Sequence, residues 1–86
     1  MRTLKEAKRK LEYVNMDMYA RGSEFYYKIG ERNECKALDL YQRCDKCMCN
    51  GGTCRSDTFV NYVDAGLTTG EVYEMVKGIS NVLALV

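Results

Sequence analysis

The sequence predicts an all-α fold, a small bundle of three to four helices with a cysteine-rich loop between the second helix and the C-terminal helices. Three observations predict it. Apolar residues recur at alternating steps of three and four near both ends, Thr-x-x-Glu capping signatures open the first and last of these stripes, and four of the five cysteines cluster between Cys44 and Cys54. A chain of 86 residues makes one domain, here residues 1–86, near the size at which a staple supplements hydrophobic burial.

Thr3 and Glu6 form the first capping signature, and Leu4, Ala7, Leu11, Val14 and Met18 follow along one face. The spacing predicts a helix over Thr3 to Tyr19, with Gly22 as its left-handed stop. Ser23 is positioned to cap a second helix, along which Tyr26, Ile29, Asn33, Ala37, Leu40 and Cys44 share a stripe. A strand at Phe25 to Ile29 is the competing reading of that aromatic run, set aside because no partner strand is evident. Beyond the cysteines, Ser56 or Asp57 is placed to cap a short helix with Phe59, Val60 and Val63 inward and Gly66 at its end. Thr68 and Glu71 then form the second capping box, with Leu67 and Val72 as a hydrophobic staple and Met75, Val76, Ile79 and Leu83 continuing the stripe. Proline, low-complexity tracts and internal repeats are absent from the sequence.

The cysteine loop is the candidate metal centre. Cys44 and Cys47 have the two-residue spacing of a tetrahedral zinc clip, and Cys49 and Cys54 flank Asn50-Gly51-Gly52-Thr53, whose glycines allow a tight turn. An all-thiolate zinc site on Cys44, Cys47, Cys49 and Cys54, with Cys35 as an alternative ligand, is the leading expectation. Disulfides, reduced thiols and an iron-sulfur cluster are the other readings. The stretch Met1 to Lys10 is charged and unlike a secretory signal, which sets a reducing, cytoplasmic compartment as the expectation. The longest purely apolar run, Val82 to Val86, is too short to span a bilayer.

The sequence contains no histidine, no phosphate-cradling glycine loop and no carboxylate pair set apart from surface charge, so a non-catalytic protein is expected. Seven tyrosines, with two phenylalanines and no tryptophan, are instead the composition of a binding surface. Arg9, Tyr13, Met16 and Tyr19 recur along one flank of the first helix and, with Tyr27, form the candidate partner-binding set. The leading functional expectation is a protein-interaction module that occupies a surface on a larger protein. In size and in lacking catalytic residues it is analogous in type to the small inhibitors that phages and mobile elements direct at host enzymes or defence systems. The alternative is a zinc-stabilised nucleic-acid binder, with Lys5, Lys8, Arg9 and Lys10 on phosphates and aromatic rings on unpaired bases. A net charge of +1 favours the first.

Overall fold

A computed structural model describes residues 3–32, 35–44 and 56–85. The element order is α1 (Leu4–Ala20), β1 (Phe25–Arg32), β2 (Cys35–Gln42), β3 (Thr58–Leu67) and α2 (Thr69–Ala84). The strands form one antiparallel sheet in the order β1-β2-β3. The protein is therefore α+β, not an all-α helical bundle, and the cysteine-rich stretch joins β2 to β3 rather than helix to helix.

Both terminal helices form where the caps and periodicity place them. Thr3 Oγ1 accepts the Glu6 amide at 3.1 Å, and α1 turns off at Gly22, whose φ of +86° suits a residue without Cβ. At Thr68 the capping box is reciprocal: Glu71 N donates to Thr68 Oγ1 at 3.2 Å and Thr68 N donates to Glu71 Oε1 at 2.9 Å. Leu67 and Val72, the expected staple, are both buried. Ala7, Leu11 and Val14 of α1 and Val72 and Val76 of α2 meet Ile29, Leu38 and Leu67 in the core, with Leu4, Met18, Met75, Ile79 and Leu83 packed around them. Arg21 ties the two helix ends together, donating from Nε to Asp17 Oδ1 at 2.9 Å and from Nη2 to the Leu83 carbonyl at 2.7 Å.

The middle of the chain departs from the helical reading. Ser23 does not cap a helix; its hydroxyl accepts the Phe25 amide at 3.1 Å and leads the chain into β1. Phe25–Arg32 pairs with Cys35–Gln42 in unbroken register, so Phe25-Tyr26-Tyr27-Lys28-Ile29 has the partner strand that local reading could not supply. Cross-strand partners share a face, and the buried pair Ile29–Leu38 marks the helix-covered side. Tyr27–Leu40 lies on that side, while Tyr26–Tyr41, Lys28–Asp39 and Gly30–Ala37 lie on the other.

The segment expected as a third helix is β3, where Phe59, Val60 and Val63 are exposed rather than turned inward. Seven residues of β2 (Lys36–Gln42) oppose ten of β3 (Thr58–Leu67), the surplus taken up by three register shifts. Those bulges break the period-two alternation. Leu67 alone of the ten is buried, because the helices pack chiefly on each other and on β1, and α2 makes only slight contact with β2 and β3. Among the described residues, no helix is long and apolar enough to cross a membrane.

Candidate interaction surface

Asp57 joins three strand ends. It precedes β3, accepts the Tyr26 hydroxyl of β1 on Oδ2 at 2.6 Å, and accepts the Cys44 amide just past β2 on Oδ1 at 2.8 Å. Burial, then the hydrogen bond to Asp57, hold the Tyr26 hydroxyl well above the ordinary tyrosine range. Asp57, expected as a helix cap, is thus a strand clamp.

From this clamp a row of rings crosses the sheet. Tyr26 stacks on Tyr41 with ring centres 5.6 Å apart, and Tyr41 meets Phe59 edge-on at 5.6 Å. The Arg43 guanidinium lies 4.7 Å from the Tyr26 ring centre and 5.3 Å from that of Tyr19, while Lys28 Nζ stands 5.7 Å from Tyr41. One continuous row therefore runs from Tyr19 at the end of α1, through Arg43, Tyr26 and Tyr41, to Phe59 on β3.

The row opens to solvent at β3. Phe59, Val60, Tyr62 and Val63 retain 44%, 46%, 53% and 49% of their accessible surface, and Asp64 is the one charged residue among the ten of the strand. In a chain whose residues are 29% charged, a surface strand of this composition has the charge-poor, aromatic and aliphatic character of an interface core.

The sequence-derived candidates divide between surfaces. Tyr13, Met16 and Tyr19 are exposed on α1, as is Arg9, and Tyr19 joins the aromatic row through Arg43. Tyr27 instead lies on the helix-covered face, half-buried against the core. Lys5, Lys8 and Arg9 line an open cleft of about 420 Å³ with Leu4 and Glu12, apart from Lys10. Of the cysteines, Cys47, Cys49 and Cys54 lie outside the described residues. Cys35, an exposed thiol, begins β2, whereas half-buried Cys44 lies just past its other end, nine residues and ~30 Å away at strand rise. No group of three His, Cys, Asp or Glu placed to hold a metal ion occurs among the described residues.

Sequence reasoning missed β3. The signal available was Thr58-Phe59-Val60-Asn61-Tyr62-Val63, a run of β-branched and aromatic residues interrupted only by Asn61 and with no helix-favouring member. Family models, curated proteins and solved structures give no match to this chain.

Proposed function

We propose that this chain is a non-catalytic interaction module that acts in the cytoplasm by occupying a surface on a larger protein, in the manner of small phage or mobile-element inhibitors of host enzymes and defence systems. The observation that carries this reading is the exposure of Phe59, Val60, Tyr62 and Val63 on a strand with a single charge. The aromatic row supports it by fixing the Phe59 end to β1 and β2, so that binding orders few additional groups. The nucleic-acid reading has less support. Arg9 and Tyr19 are ten residues apart on α1, ~15 Å along its axis, so the basic first turns of α1 stand away from the Tyr19 end of the aromatic row. The Tyr26 ring already packs between Arg43 and Tyr41, which leaves little face for a base.

The test is site-specific crosslinking in host cells. A photo-reactive phenylalanine analogue in place of Tyr62 is expected to give one discrete protein adduct, and the same group at exposed Lys77 none. Nucleic-acid adducts, or identical adducts from both positions, would overturn the reading.

A further inference from the structure

The backbone edge of β3 is closed by its own side chains. Tyr27 turns both its N–H and its carbonyl toward Asn15, so Tyr27 and Leu40 exchange no ladder bonds. Leu40 consequently directs its N–H and carbonyl the other way, to its partner Asn61 on β3. The next residue, Tyr62, then aims its amide at the open edge. That amide donates to Asn61 Oδ1 at 2.9 Å. The same parity holds at Leu38–Asp64, and the Ala65 amide, one residue on, donates to Asp64 Oδ1 at 2.8 Å. Two outward donors are thus satisfied by the residues just before them, and the three register shifts space the remaining edge groups unevenly for a regular incoming strand.

This matters because the strand is otherwise suited to pairing with itself. A two-fold axis at Asn61 would set Phe59 against Val63, Val60 against Tyr62 and Thr58 against Asp64, with no like charges opposed. We infer that Asn61 and Asp64 guard the β3 edge, so that the partner reads β3 through its side chains in an apolar groove and neither a partner strand nor a second copy of this chain extends the sheet. The partner in this statement rests on the function proposed above, whereas the guard concerns this chain alone.

The test needs no partner. The wild-type chain, N61A/D64A and the swapped variant N61D/D64N are sized by light scattering and titrated with a synthetic peptide of residues 58–67. The wild type and the swap, which keep both acceptor oxygens, are expected to stay monomeric and ignore the peptide. N61A/D64A is expected to dimerise or to bind the peptide at least about tenfold more tightly. Equal peptide binding by wild type and N61A/D64A, or a swap that behaves as N61A/D64A, overturns the guard. Should N61A/D64A fail to fold, amide exchange in the unmodified protein decides: slowed exchange at Tyr62 and Ala65 supports it, and exchange at the rate of an unstructured peptide overturns it. Failure of the Tyr62 crosslink would remove the partner while leaving these outcomes intact.

Discussion

The carboxylate of Asp39 occupies the space where Gly30 lacks a side chain: a Cβ placed on Gly30 would stand 2.7 Å from Asp39 Oδ2. Gly30 sits in a strand, where replacing glycine by alanine ordinarily gains roughly 0.5–1 kcal/mol from backbone entropy. Here the added methyl meets the side chain of a residue only 3% exposed, which has little room to swing aside. Overpacking of this kind costs about 1–3 kcal/mol, so the clash outweighs the entropic gain. Gly30→Ala is expected to lower stability to urea, and to cost less when Asp39 is also alanine. Equal losses in the two backgrounds would contradict the contact.

The opposite edge of the sheet is held by α1. Asn15 Nδ2 donates to the Tyr27 carbonyl at 2.8 Å while its Oδ1 accepts the Tyr27 amide at 2.9 Å, the pattern an added strand would make. Asn15→Ala removes both bonds from a partly buried site, an expected loss of about 1–3 kcal/mol. Asn15→Asp keeps the acceptor but sets a carboxylate against a carbonyl, so it is expected to destabilise while still slowing Tyr27 amide exchange. Hydrogen exchange separates the two: fast at Tyr27 in the alanine variant, slower in the aspartate variant.

Why both helices were legible and the sheet was not follows from which faces are covered. Each helix buries a single stripe, so Leu4, Ala7, Leu11, Val14 and Met18 kept their period in the sequence, and so did Val72 to Leu83. β1 and β2 bury residues on both faces: Ile29 and Leu38 under the helices, Tyr26, Ala37 and Asp39 on the other side. A strand apolar on two sides loses its alternation, and Tyr26, Ile29, Ala37 and Leu40 then matched helical spacing by coincidence. In β3 the register shifts disrupt the alternation that remains, leaving Phe59, Val60 and Val63 at steps of one and three that imitate a helix. The tyrosine surplus pointed to a binding surface, but its placement depended on pairings among β1, β2 and β3 that local pattern does not encode.

Tyr26 gives the fold an alkaline limit. Its folded pKa lies above the ordinary 10.0, chiefly from burial and then from the bond to Asp57. A raised value means that its contribution is whole below pH 10 and is withdrawn as pH climbs through 10 toward the folded value, because the unfolded chain releases the proton first. Tyr26→Phe loses a hydrogen bond to a charged group, about 1.5–3 kcal/mol at neutral pH. The variant is also expected to lose less further stability than wild type between neutral pH and pH 11. Parallel decline in thermal melts across that range would assign the alkaline loss to other groups.

Glu71 sets the corresponding acid response at the start of α2. The Thr68 amide, and after it the Thr68 hydroxyl, hold its carboxyl below the ordinary 4.5. A lowered value means that the contribution is complete above pH 4.5 and disappears as pH falls through 4.5 toward the folded value, where protonation weakens the carboxylate as an acceptor. Glu71→Gln keeps an acceptor oxygen for the Thr68 amide without the titrating charge, so its stability is expected to change less than that of wild type between pH 6 and pH 3. Thr68→Ala removes the hydroxyl that accepts the Glu71 amide and is expected to cost about 1 kcal/mol at neutral pH. Chemical denaturation of the three proteins across that range checks both expectations, and a wild-type acid limb that superimposes on that of Glu71→Gln would place the acid sensitivity of the fold at other carboxylates.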